Sequence, residues 1–579
     1  MTSKQSREAA SATSGTNMET ELVSSVQSSL QVAEKPRRSA DMPSETTSFD
    51  VSNSSKPPSS PPLPAQPPSS GPPAFPPLTK SSTVLTSRSA REAAQILATF
   101  STSTGNPRNW SRGRKWRTTM TVAVTGFIST CGSSIGVPGI HAAMAEFGVE
   151  NEKIGVLITA GYVLGLGAGP FLFAPISELY GRQVAYHVSQ VCFVVFCIGT
   201  AVSQNMATLI VLRFFCGVFG SSGPALGVAT CADVWAPHER GRPVSLYAIG
   251  PMAGPVLGSM LGYWILFGGW RWLFWTITIL AALNTALLMI GASETNAAVI
   301  EKKLTYRVRH PISNPTNLAQ RLSPSRWIHD LGWMAAMVSG DDAKQVFGRA
   351  FSRPPRLLFT NPVCAIFSAY YAYIYAIIYV FLVSVPLCFG SPPFSKDGLF
   401  SYSWPQGTLS LSYVGMAIGF AIAATTAANA QDRIYKYLSK KNDGRGEPEY
   451  RLVMTQTGMC IMPIGLFIFG WTANAEVHWI APQIGMCLVA IGLMLAFNSI
   501  QNFIVDAFFP YSAAGIASAT ALRSVFACII PIFAPDLFHN LGWGWGGTLL
   551  ALVSLVAVPA PLVMFKYGKR LRERYKFKD

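Results

Sequence analysis

Beyond a polar opening stretch, the chain alternates long apolar runs with short breaks that are polar and mostly basic. Twelve apolar segments fall near 118–140, 154–177, 184–204, 206–232, 243–267, 272–292, 363–389, 408–430, 452–473, 479–505, 513–537 and 547–566. Each is close to the roughly twenty residues a helix needs to cross hydrocarbon. Spans 3 and 4 are nearly continuous, split only at Ser203-Gln204-Asn205. Lipid offers no partner to backbone N–H and C=O groups, so segments of this length are expected as α-helices. The predicted fold class is an all-α polytopic membrane protein with twelve transmembrane helices.

The breaks set the domain plan. Residues 1–110 form a Ser/Pro-rich tail whose run PPSSPPLPAQPPSSGPPAFPP, from Pro57, is too poor in apolar side chains to bury a core and is expected to be disordered. Its first residues hold neither the apolar core of a signal peptide nor the repeated arginines of a transit peptide. Such a tail suits cytosolic kinases or sorting factors, or serves as a passive tether. Residues 111–292 make one six-helix bundle and 363–567 a second. A basic linker, 293–362, joins them, and 568–579 is a short basic tail.

Only 13% of residues are charged, against about 25% in soluble domains, and the net charge is +16. The basic residues sit beside apolar runs, at Arg112–Arg117, Arg240 and Arg242, Arg433–Arg451 and Lys566–Arg574, while the alternate loops hold little beyond Lys153, Arg271 and Lys396. That bias reads as topology rather than as a nucleic-acid surface, and it places both termini in the cytosol. The ten cysteines lie almost wholly in apolar runs without ligand spacing, so neither disulfides nor a metal site is expected.

Four features carry candidate chemistry. First, Glu178 and Arg182 follow span 2, and Asp432 and Lys436 follow span 8, an acid and a base four residues apart at matching places in the two halves. Such an internal repeat is typical of secondary transporters, whose binding site lies at the midplane between halves. Second, Arg213 of span 4 and Arg523 of span 11 lie deep in apolar sequence, where a cation costs roughly 2.5–3.5 kcal/mol even on the lenient insertion scale. No span carries an acid near its middle, so the expected cavity is electropositive. Third, Asn498, Gln501 and Asn502 share one side of span 10, lining a cavity or bonding across helices, and Tyr371 and Tyr375 lie deep in an aromatic stripe that ends at Tyr379. Fourth, Gly241, Gly250, Gly254 and Gly258, with Pro251 and Pro255, give span 5 a small face, suited to close packing or to a pivot. There is no phosphate-binding GxxxxGK[ST] loop, which argues against ATP as the energy source.

Span 5, GRPVSLYAIGPMAGPVLGSMLGYW, resembles the antiporter signature, motif C, of the major facilitator superfamily, with Ser259 in place of its last glycine. APISELYGRQ, Ala174–Gln183, resembles motif A, with Glu178, Gly181 and Arg182 in the acidic, turn and basic positions; Ala174 and Gln183 depart from it. Arg213 with Gly217 resembles motif B, whose arginine is associated with proton coupling. GGWRWLFW at 268–275, RPPRLLFTNP at 353–362, FNSIQNFIVDAF at 497–508 and ALRSVFACIIPIFAP at 521–535 resemble the fungal branch of the twelve-span drug:proton antiporters. The resemblance implies the major facilitator fold of two pseudo-symmetric six-helix bundles, no cofactor, and no enzymatic activity. It implies export by proton antiport and alternating access but does not name the cargo; with the expected electropositive cavity, the preferred cargo is a small organic acid or amphiphilic secondary metabolite, with drugs as a side activity. It also implies a plasma-membrane location, with the vacuolar membrane as the alternative. The rival readings are a facilitator or importer on the same fold, and a non-transporting membrane receptor.

Overall fold

The computed structural model describes Phe100, residues 102–103 and residues 105–575, except 237–238, 310–339, 393–397, 445 and 509–510. Almost everything described is helix. Eleven runs are long and apolar enough to cross a membrane: α1 (Arg112–Phe147), α2 (Glu152–Leu179), α3 (Arg182–Ala201), α4 (Met206–Val234), α5 (Gly241–Gly268), α6 (Trp270–Gly291), α7 (Pro362–Phe389), α8 (Gln406–Lys441), α9 (Pro448–Asn474), α10 (Ile480–Ala507) and a final run, Ala514–Arg574. That last run has 61 residues, about 90 Å at 1.5 Å per residue, or three bilayer cores. Gly542 breaks it with φ 73° and ψ 171°, a backbone conformation that favours glycine. We call the part before Gly542 α11 and the part after it α12, which recovers the twelve expected spans. Large apolar side chains on the outer faces, such as Ile290 and Val556 at 82% and 83% exposure, are what lipid contact requires.

The expectations for kinase or sorting contacts and for disorder over residues 1–99 lie outside the described residues, as does linker segment 310–339. At the tail's inner edge, Trp110 is buried with Trp235 and Tyr186 and stacks against the Arg114 guanidinium at 3.9 Å. The packed body therefore begins before the predicted boundary at 110. The linker is not merely hydrophilic, since helices Ala297–Arg309 and Gly340–Thr360 lie within it.

Within the first bundle, the glycine face of α5 lies on α1. A side chain at Gly250 would meet the carbonyl of Ala123 at 2.6 Å; one at Gly258, the carbonyl of Cys131 at 2.6 Å; and one at Gly254 would overlap Thr130. Ser134 Oγ donates to the Pro255 carbonyl, capping the contact at 2.5 Å. Pro251 and Pro255 stay inside one continuous helix, Gly241–Ile265. The small face therefore serves close packing of α5 on α1 within a bundle. The α2–α4 contact repeats the device at Gly165 and Gly217, where a Cβ added to either would lie 3.0 Å from the other's Cα.

The two bundles meet along α2–α11 and α5–α8, with further contacts of α5 on α10 and α1 on α7. Near the end carrying the basic loops, Asn498 donates to Ser245 Oγ at 3.0 Å. Toward the opposite end, Trp264 donates to Ser410 Oγ at 2.9 Å, Tyr263 lies 6.4 Å from Tyr413, and Ser133 Oγ bonds the Tyr379 hydroxyl at 2.7 Å. Polar contacts thus close the seam on both sides of its middle.

Overpacking a tight helix contact costs about 1–3 kcal/mol or more. Gly254→Leu, which has no room for its side chain, is expected to abolish the monodisperse peak in detergent size exclusion. Gly291→Ala, where nothing lies within 4 Å, is expected to leave the peak and the melting temperature unchanged.

Candidate functional site

Arg523 sits eleven residues into α11 from Ser512, about 17 Å from the basic end, and is 5% exposed. Its guanidinium carbon lies 4.3 Å from the Tyr375 ring centroid, 5.2 Å from Tyr371 and 6.0 Å from Phe497. Nη1 donates to the Tyr371 hydroxyl at 3.4 Å. Tyr371 stacks on Phe497 at 4.6 Å, which fixes its ring. Ring quadrupoles stabilise a desolvated cation by about 2 kcal/mol or more, so α7 and α10 supply in aromatic faces what a carboxylate would supply elsewhere. The supply is incomplete: Arg523 Nε is buried without a hydrogen-bond partner, as are Ser524 Oγ and Gln501 Oε1.

Arg213 is 1% exposed and differently held. Nε donates to the Ile158 carbonyl at 3.2 Å and Nη2 to the Ser133 carbonyl at 3.0 Å, with the Tyr162 ring 4.4 Å away. It ties α4 to α1 and α2 within one bundle. Arg213 and Arg523 are nonetheless linked, because Ser133 bonds Tyr379, and Tyr379 lies 5.4 Å from Tyr375. The row on α10 divides. Asn498 bonds across to Ser245, Asn502 donates back to the Asn498 carbonyl at 2.9 Å, and Gln501 keeps an unpartnered oxygen.

At the basic end the acid–base pairs are not those that local spacing indicates. Arg182 Nε donates to Asp233 Oδ2 at 3.1 Å, while Glu178 is exposed and forms no salt bridge with it. Gly181, at φ 99°, starts α3 and lets Glu294 accept the Arg182 and Gln183 backbone N–H groups at 2.9 and 3.1 Å. In the second half, Arg451 bonds Asp506 at 3.1 Å and Asp432 at 3.5 Å, and Lys436 is exposed. Arg182–Asp233 and Arg451–Asp506 occupy equivalent places: the start of α3 or α9, and the end of α4 or α10. Gly241, the first residue of α5, lies directly against the Asp432 carboxylate, where the helix N-terminus stabilises an anion. Burial pushes Arg240 down from its ordinary range, opposed by Asp506. At the opposite end, Lys153 bonds Asp536 at 3.1 Å, joining α2 to α11.

A family profile described as Major Facilitator Superfamily matches residues 122–535. This chain belongs to the Major Facilitator Superfamily. It is a membrane transporter, not an enzyme. It is 34% identical over 474 residues to "Efflux pump radE" of Floropilus chiversii, covering 82% of this chain and 84% of that one. It is 32% identical over 473 residues to "MFS transporter cpaT" of Aspergillus oryzae, covering 81% and 90%. Among solved structures it is similar to the proton:xylose symporter XylE bound to 6-bromo-6-deoxy-D-glucose, with a TM-score of 0.54 and 15% identity, over 79% of this chain and 96% of that one. At that identity the likeness speaks for the fold alone.

Sequence reading found both arginines and the tyrosine stripe of this transporter but missed Ser133, Phe497, Asp233 as the partner of Arg182, and Arg451. Arg451 had counted only toward topology. Its place at the start of span 9, matching Arg182 at the start of span 3, was the available signal.

Lys153 and Asp536 belong to different bundles, so their separation must change if the outer seam opens. In the double variant Lys153→Cys/Asp536→Cys, oxidative cross-linking is expected to cut transport at least about tenfold, with recovery on reduction. Undiminished transport by the fully cross-linked protein would remove this pair from the opening movement.

Proposed function

We propose that this protein exports a small organic acid or an amphiphilic secondary metabolite in exchange for protons, by alternating access between its two bundles, with drugs as side cargo. One observation carries the reading: a buried arginine at the seam between bundles, boxed by aromatic rings, with a donor left over and, among the described residues, no carboxylate beside it. An anionic or electron-rich planar group satisfies Arg523 Nε and stacks on Tyr371, Tyr375 or Phe497. A cationic cargo would meet like charge. The efflux pump among the relatives supports the outward direction.

On this reading the basic loops and both termini face the cytosol of a cell whose plasma membrane holds the protein; the vacuolar membrane is the alternative. Cargo enters from the cytosol when Asn498–Ser245 and the Asp432–Gly241 contact part. It leaves when Lys153–Asp536 and Ser133–Tyr379 part. Arg182–Asp233 and Arg451–Asp506 each lie within one bundle and hold helix ends rigid as the bundles tilt. The acids available to carry protons are Glu178, Asp233 and Asp506, all at the cytosolic end.

The test uses everted membrane vesicles, acidified inside, with a fluorescent aromatic carboxylate and a lipophilic cation as probes. The carboxylate is expected to accumulate, and a protonophore to abolish its accumulation. Accumulation of the cation alone would overturn the charge preference, and carboxylate accumulation that survives collapse of the gradient would overturn proton coupling. Arg523→Leu is expected to raise the carboxylate KM about 30-fold, the equivalent of roughly 2 kcal/mol, with expression and size-exclusion profile unchanged.

A further inference from the structure

The linker helix Gly340–Thr360 runs directly into α7, with only Asn361 between them, and Asn361 Oδ1 accepts the N–H groups of Val363 and Cys364 at 3.0 and 3.1 Å. Its inner side is packed. Leu357 and Pro354 are buried, and at the edge of this side the half-exposed Phe351 ring stacks on Phe171 of α2 at 5.9 Å and 19°. The Arg353 guanidinium lies 5.3 Å from the Tyr511 ring at the start of α11. Phe171 stands eight residues before Leu179, where α2 ends, so the stacked ring lies about 12 Å inward from that helix end. This places the linker helix at the level where headgroups give way to acyl chains, not out in the cytosol.

Its outer side does not suit water. Phe359 is 86% exposed and Phe351 55%. Around them Lys344, Arg349 and Arg356 are also exposed. Arg353, turned toward Tyr511, is not counted with them. Exposed aromatic rings among basic side chains, on a helix continuous with a spanning segment, form the pattern of a helix lying in the membrane interface. Each basic side chain near an anionic leaflet adds to the attraction, and the attraction is screened by salt.

We propose that helix 340–360 is a seat for anionic phospholipid, with Phe359 and Phe351 at the acyl boundary and Lys344, Arg349 and Arg356 against lipid phosphates. The seat relies on the cytosolic placement of the basic end but not on the identity of the cargo. It touches α2 of one bundle and α11 of the other, so lipid held there bears on both sides of the seam.

The full-length chain is reconstituted in nanodiscs of phosphatidylcholine with about 30% phosphatidylserine, and a spin label is placed at Phe359→Cys after Cys192, Cys460, Cys487 and Cys528 are changed to Ala. The label is expected to relax more with oxygen than with a water-soluble nickel chelate. Stronger relaxation by nickel would overturn the proposal, and shielding from both would show that protein, not lipid, covers the helix. Separately, the folded triple variant Lys344→Gln/Arg349→Gln/Arg356→Gln, extracted in detergent, is expected to retain about tenfold less phosphatidylserine at low salt, with the difference gone at about half-molar salt. Equal retention at low salt would also overturn the assignment.

Discussion

A guanidinium always carries its charge, and moving it into a low-dielectric interior costs several kcal/mol unless its donors and its charge are answered. Among the described residues, Arg213 and Arg523 lie deep in the spans of this transporter, and the packing around each shows a different answer. Arg213 receives two backbone carbonyls and a tyrosine ring, so its cost is offset inside one bundle and the result is a brace. Arg523 receives aromatic faces and one hydroxyl, and a donor remains. The first arrangement is complete without a ligand, whereas the second is complete only with one. This asymmetry is the ground for proposing that cargo is met at the seam by α7, α10 and α11.

The remaining construction keeps each bundle stiff and the seam between them breakable. Glycine-lined contacts such as α1–α5 bring backbones together over several turns, leaving no slack to be taken up by bending. Charges at the basic end, Arg182 with Asp233 and Arg451 with Asp506, fasten helix ends inside their own bundles. Across the seam the polar contacts among the described residues are single hydrogen bonds, an exposed ion pair, and a carboxylate resting on a helix N-terminus. Each is worth about a kcal/mol or less, small enough to break in the alternating access proposed above.

What was legible in the sequence followed from costs that do not depend on partners. Apolar runs of about twenty residues have few uses besides crossing lipid, so the spans and their two-half arrangement could be read directly; the fused last run, the early start of the packed body and the helices in the linker could not. Arg213 and Arg523 stood out because a buried cation needs a reason. The partners could not be read, because they are tertiary. Four-residue spacing pointed Arg182 at Glu178, yet the helix turns its guanidinium toward Asp233, fifty-one residues away. The glycine steps of α5 announced a close neighbour without saying that it was α1 of the same bundle. Phe497, next to a conspicuous asparagine, carried no mark of its own.

The preference of Arg523 for an anionic cargo, proposed above, has an electrical consequence. If the cargo leaves as a monoanion while one proton enters, two elementary charges pass inward in each cycle. At about 2.3 kcal/mol per charge per 100 mV, an inside-negative potential of that size adds roughly 4.6 kcal/mol to the drive. A pump built in this way would go on working against a concentrated product where the pH difference across its membrane is slight, drawing on voltage instead.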